Sequence, residues 1–190
     1  LGVQDGVDIY FGTFAKSFGA IGGFSSSTKE VIDWISYNAR TQVFAKSLPM
    51  VYVQALDKTL DLVLDADDRR AKMWENSNAL KQRLRDHGYY VGPGEAPICS
   101  VFVPVRTERA DIVGMRTVRF LRERGIFVTG ITHPVIPPGL MMYRMIPTTD
   151  HTQEDIETTA GVFGEMLTEL ELDPAVQEDD AQKIRRVYGR

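Results

Sequence analysis

Apolar residues along this chain follow two rhythms, and the change between them divides it. From residue 29 to 86 they recur at steps of three and four. Val31, Ile32, Trp34, Ile35 and Ala39 share one helical face over 29–41, behind the capping residues Ser25, Ser26, Ser27 and Thr28. The stretch 42–49 reads as extended. Val51, Val53, Ala55, Leu56, Leu60 and Val63 predict a largely buried helix over 49–64, with Pro49 suited to its first turn. The charged run 65–70 predicts a solvated corner, and Met73, Trp74, Leu80 and Leu84 predict an amphipathic helix over 71–86, stopped by Gly88.

After Gly88, strands and helices alternate. Tyr89-Tyr90-Val91 and the run 98–105 read as strands on either side of a Gly-Pro-Gly turn at 92–94. A helix over 110–124 is ended by Gly125, and 126–129 and 143–147 read as further strands. Thr152 to about Leu170 is a helix opened by the capping box Thr152-Gln153-Glu154-Asp155. Such alternation predicts a small α/β unit. The charged, proline-interrupted stretch 173–190 carries no structural prediction.

Ahead of the helices, the apolar run 7–11 predicts a buried strand that leaves through Gly12 and Thr13 into a turn holding Lys16. Phe14, Phe18 and Ile21 flank that lysine. They predict a partly dry pocket, where desolvation favours the neutral amine, a nucleophile toward carbonyls. A surface turn whose lysine stem covers apolar neighbours is the other reading of the same residues. Arg144 lies in a predicted strand between Tyr143 and Met145. Its charge cannot be shed, so it requires an anion, either a ligand's carboxylate or phosphate or an internal acid.

Composition narrows the partners. The 190 residues carry a formal charge of −4 without a basic tract, so no nucleic-acid partner is expected. Cys99 is the only cysteine, which precludes an intrachain disulfide, and neither Cys nor His is spaced like a metal site. No apolar run approaches the roughly 18 residues of a spanning helix, and the first five residues are no signal peptide, so a soluble, cytoplasmic protein is expected. Cys99 reads as a small core hydrophobe, His87 and His151 as helix-end residues, and His133 as incidental.

Thr13-Phe14-Ala15-Lys16-Ser17-Phe18-Gly19, followed by Gly22-Gly23-Phe24, resembles the Schiff-base lysine segment of the pyridoxal-phosphate α-oxoamine synthases. The resemblance implies that Lys16 carries pyridoxal 5'-phosphate and that the Thr13 hydroxyl contacts its phosphate. Phe44-Ala45-Lys46-Ser47-Leu48-Pro49 resembles a segment by which one subunit offers a hydroxyl to the other's cofactor phosphate. Here Ala45 replaces the first hydroxyl and Ser47 keeps the second; capping of the following helix is the alternative role for Ser47. Pro137-Pro138-Gly139, Arg144 and His151-Thr152 resemble the family's substrate-carboxylate site, with Pro147 and Asp150 departing from its pattern.

What the resemblance implies is an α/β, fold-type-I enzyme represented by its C-terminal half. Residues 1–68 would complete the large cofactor domain, 69–172 would form the small domain, and 173–190 a charged tail. The glycine-rich phosphate loop, the ring-stacking histidine and the aspartate pairing with the pyridine nitrogen would lie in a preceding half. Implied too are a homodimer, with Trp34, Tyr37 and Phe44 as interface aromatics, and membrane contact only through a lipid substrate. The implied reaction condenses an amino acid with an acyl-CoA, with decarboxylation. The serine palmitoyltransferase pattern is nearest, giving L-serine and a product such as 3-ketosphinganine; glycine with acetyl-CoA is the alternative. A non-catalytic fragment or subunit is the alternative of another class, and the chain alone is expected to be inactive.

Overall fold

The computed structural model describes residues 2–106 and 109–188, and the chain divides at Asp67/Asp68 into two compact units.

The first unit opens with a 3-10 turn, Gln4–Gly6, and an antiparallel ribbon of β1 (Tyr10–Thr13) and β2 (Gly23–Ser26), in register from Tyr10↔Ser26 to Thr13↔Gly23. The expected buried strand is thus displaced by three residues, and its positions are exposed apart from a half-buried Gly12. Two strands alone do not bury a face; a packed second layer is needed for that. Helix α1 (Lys29–Asn38) stops where Ala39 turns to an extended ψ of 114°, and α2 (Arg40–Ala45) resumes at once, where an extended segment was expected. A positive φ of 67° at Lys46 ends it. Helix α3 (Met50–Leu64) follows Pro49 as its N-cap. Leu56 is the only buried residue of α3, against the expectation of a largely buried helix, since an apolar composition does not itself provide a surface to pack on.

The second unit begins with α4 (Asp67–Asp86), which starts inside the run predicted as a corner because Asp67 and Asp68 are favourable in a first helical turn. Then come β3 (Tyr90–Val91), β4 (Cys99–Pro104), α5 (Ala110–Glu123), β5 (Thr129–Ile131), β6 (Leu140–Met145), α6 (Gln153–Glu169) and α7 (Glu178–Tyr188). The strands form one antiparallel sheet in the order β3-β4-β6-β5. The strand expected at 126–129 is shifted to Thr129–Ile131. A Cβ on Gly130 would lie 2.9 Å from Val118 of α5, so only a bare backbone lets the strand sit at that spot.

Strand alternation splits the sheet into two faces. Cys99, Val101 and Val103 of β4 and Met141, Tyr143 and Met145 of β6 join Leu80 and Leu84 of α4, Val113, Phe120 and Leu121 of α5, and Ile156, Phe163 and Met166 of α6 in the main core. Tyr143 meets Phe163 edge to face at 5.2 Å, and the Tyr89 hydroxyl donates to the Phe163 carbonyl at 2.7 Å. The opposite face holds a smaller cluster of Phe102, Leu140, Met142, Ile136 and Ile184. Ile184 belongs to α7, so a helix occupies part of the stretch that carried no prediction.

Candidate active site

Thr13 ends β1, and its hydroxyl ties the following turn together. The hydroxyl donates to the Gly22 carbonyl at 3.3 Å and accepts from the Ala15 N–H at 3.3 Å. Phe14 closes the base of the loop through its N–H to Gly22 O (3.0 Å) and its carbonyl from Ala20 N–H (2.9 Å), and Gly19 N–H returns to Lys16 O (3.0 Å). Lys16 therefore stands on a short loop fastened at both ends. Its side chain is exposed, and among the described residues its ammonium has neither a hydrogen bond nor an ion pair. The partly dry pocket expected from its neighbours is not what these residues build. Phe14 packs instead on Phe18 and Phe24, each with ring centroids 5.6 Å away, and Ile21 is exposed.

The segment that carries Ser47 approaches the same loop through Leu48. A Cβ on Gly22, whose φ is +99°, would meet the Leu48 side chain at 2.8 Å, so the segment after α2 lies against the loop that Thr13 ties down. The Ser47 hydroxyl accepts from Gln42 Nε2 at 3.3 Å, and α3 has no side-chain cap, so Ser47 is not the capping residue of that helix. Lys46 Nζ donates to the Val43 carbonyl at 3.3 Å.

Arg144 belongs to the second unit. It is the one exposed position of β6, paired across the sheet with Ser100 of β4 and Thr129 of β5. Register places the three polar residues in one row, next to the apolar row Phe102, Met142 and Ile131 on the same face. Among the described residues Arg144 has no carboxylate partner, so the internal salt bridge is not formed. Arg124, the other guanidinium beside it, is committed to Glu169 at 2.9 Å, Glu165 at 3.4 Å and the Phe120 ring. A cleft of about 600 Å³ is lined by Arg144, Thr129, Phe127, Ile146 and His151. His151 Nδ1 accepts from the Thr148 N–H at 2.9 Å. At the mouth of α6, Thr152 and Asp155 form the predicted capping box; the Thr152 N–H, then its hydroxyl, hold the Asp155 carboxyl below its ordinary value. Ser100 and Thr129 were not singled out from sequence, because their placement beside Arg144 follows from strand register alone.

The profile of the aminotransferase class I and II family matches residues 1–163. The chain belongs to that family. It is 40% identical over 171 residues to a cysteate-C-fatty acyltransferase of Capnocytophaga ochracea, covering 90% of this chain and 40% of that protein. The solved serine palmitoyltransferase of Sphingomonas wittichii superposes with a TM-score of 0.75 at 31% identity, over 90% of this chain and 42% of that one. A further solved serine palmitoyltransferase, holding pyridoxal phosphate as an internal aldimine, gives 0.75 at 25% identity over the same shares. The chain thus spans about 40% of the length of the relatives it matches. The fold is that of fold-type-I pyridoxal-phosphate enzymes, the resemblance to α-oxoamine synthases holds, and the cofactor of the family is pyridoxal phosphate. Among the described residues no helix is long and apolar enough to cross a membrane.

Proposed function

We propose that this chain serves in a pyridoxal-phosphate-dependent C-acyltransferase that joins the α-carbon of a small polar amino acid to the acyl group of a fatty acyl-CoA, with loss of carbon dioxide. The observation that carries this reading is Lys16, an amine without a partner among the described residues, on a loop fastened at a strand end. The donor set suits the cofactor: the primary amine of Lys16 for its aldehyde, and the hydroxyl of Thr13, at the base of the same loop, for its phosphate. When bound, pyridoxal phosphate supplies an electron-poor ring that accepts negative charge from the substrate's α-carbon.

The chain's own residues divide the remaining work. Lys16 Nζ would hold the cofactor by its aldehyde and, as a free amine, would be the base that takes the substrate's α-proton. Arg144 holds the substrate carboxylate through two parallel N–H donors, which fixes the α-carbon's orientation. Trp34, Tyr37 and Phe44, 67%, 83% and 76% exposed, supply aromatic surface for a homodimer through which Ser47 reaches the partner's site. In this reading the amino acid is L-cysteate, following the name of the 40% identical relative, or L-serine, following that of the solved structure at 31%.

Borohydride reduction of the holoenzyme followed by peptide mapping should place a pyridoxyl label on Lys16; a label on another lysine would overturn the assignment. Assays of the same enzyme with palmitoyl-CoA and either amino acid decide between cysteate and serine. Condensation with neither, in an enzyme labelled on Lys16, rejects the proposed reaction while leaving the cofactor site standing.

A further inference from the structure

The smaller cluster on the second face of the sheet joins parts of the chain far apart in sequence. Ile136, from the loop 132–139 that feeds β6, is 3% exposed, and Ile184 of α7 is 0% exposed; both lie in the cluster with Leu140 and Met142 of β6 and Phe102 of β4. Val176, just ahead of α7, packs against the same group. The start of α7 is fastened separately. Arg106 Nη2 donates to the Asp180 carboxylate and to the Ala175 carbonyl, both at 2.9 Å, and the buried Asp180 also accepts from the Gln177 N–H at 3.3 Å. Two independent attachments, one apolar and one charged, thus hold α7 on this face.

That face is also the one that carries Arg144. Leu140, Met142 and Arg144 alternate on it, with Met142 two residues before the arginine and inside the cluster with Ile184. The apolar rows are covered, while the row Ser100, Arg144 and Thr129 beside them is left open. The family's profile ends at residue 163, so α7 lies outside the matched stretch.

We infer that α7 is a positioning element for the amino-acid site: Ile184 and the Arg106–Asp180 pair hold loop 132–139 and the Leu140–Met142 surface against which Arg144 is set. The inference rests on the reading of Arg144 as the carboxylate-binding residue. Ile184 and Ile136 are buried in the same small cluster, so loss of the Ile184 side chain should loosen Ile136 and the chain entering β6. The body of β6 stays in place, because it is paired on both sides. The expected effect therefore falls on the amino-acid site that Arg144 serves.

The test uses the holoenzyme carrying Ile184→Ala or Arg106→Ala, with peptide-resolved hydrogen exchange and kinetics in which each substrate is varied. Exchange in 132–139 is expected to quicken about tenfold. The amino-acid KM should rise about tenfold, with kcat and the acyl-CoA KM within about twofold of the parent. Arg106→Lys, which keeps a donor to Asp180, should fall between. Unchanged loop exchange in both alanine variants overturns the inference, as does faster exchange with an unchanged amino-acid KM, or a fall confined to kcat. Should Ile184→Ala not fold, Ile184→Val decides by the same two readings. Failure of the underlying functional reading looks different: the parent enzyme then performs no condensation, and the exchange comparison still shows whether α7 holds the loop.

Discussion

The side-chain amide of Asn76 donates to the backbone carbonyl of His151 at 2.8 Å, from a position in α4 with no exposed surface. Its second proton goes to the Thr148 carbonyl at 2.9 Å, and its oxygen accepts from Gln153 Nε2 at 3.1 Å. A single side chain thus carries the segment that leads from Arg144 to α6. Asn76→Ala leaves two carbonyls without donors and should lower the unfolding free energy by about 2–3 kcal/mol. Asn76→Asp should not restore it, because a carboxylate cannot donate. Urea denaturation of both variants checks this, and an Asp variant as stable as the parent would contradict the role given to the amide protons.

Arg144 stands exposed and without an acidic partner among the described residues, so its removal costs the fold little. In the complete holoenzyme, Arg144→Ala should weaken amino-acid binding by roughly ten- to a hundredfold, the equivalent of ~1.5–3 kcal/mol for a charge-assisted contact. Arg144→Lys should recover only part, since a point charge does not reproduce two parallel bonds. Spectroscopic titration with L-serine and L-cysteate measures it. Unchanged affinity for both would remove Arg144 from the substrate site.

The capping box gives the start of α6 a defined acid sensitivity. Bonds from the Thr152 N–H and hydroxyl favour the charged Asp155, whose folded-state pKa therefore lies below the ordinary 3.8. A group depressed on folding stabilises fully above its unfolded value, and that contribution is lost as the pH falls through the lowered one. The stability gap between the parent and Asp155→Asn should be constant near neutrality and close as the pH drops below 3.8. Thermal unfolding across that range reads it, and a gap independent of pH would show that the carboxylate's charge contributes nothing.

Cys99 sits in β4 with no exposed surface, and burial pushes its thiol up to about 12. Only thiolates alkylate readily, so iodoacetamide at pH 8 should leave Cys99 unmodified in the folded protein and label it fully in urea. Rapid labelling without denaturant would indicate that the main core opens easily.

How much of this was legible in the residues depended on how local the deciding interaction was. The capping box at Thr152, the glycine stops at Gly88 and Gly125 and the presence of helices α1 and α5 rest on neighbours within one or two turns, and these signals are visible in a string of letters. The lysine turn is legible in its motif, but its surroundings are not: Phe14 turns to Phe18 and to Phe24, a choice that only β1–β2 pairing settles. Strand β5 slipped by three residues for a tertiary reason, the contact between Gly130 and Val118. Helix α7 escaped notice because Ala181 and Ile184 are few among acids and bases, and their burial depends on a sheet face made far upstream.

The late position of α7 bears on how the protein is made. Synthesis runs from the N-terminus, and the helices that cover the first sheet face are complete once residue 169 has emerged. The second face must wait for Ile184. During that interval Phe102, Leu140 and Met142 form a wet apolar strip beside a finished core, the kind of surface that chaperones hold and that neighbouring nascent chains adhere to. Translation pausing between residues 170 and 184 would lengthen the exposure, so slower synthesis across that stretch should lower the yield of folded protein.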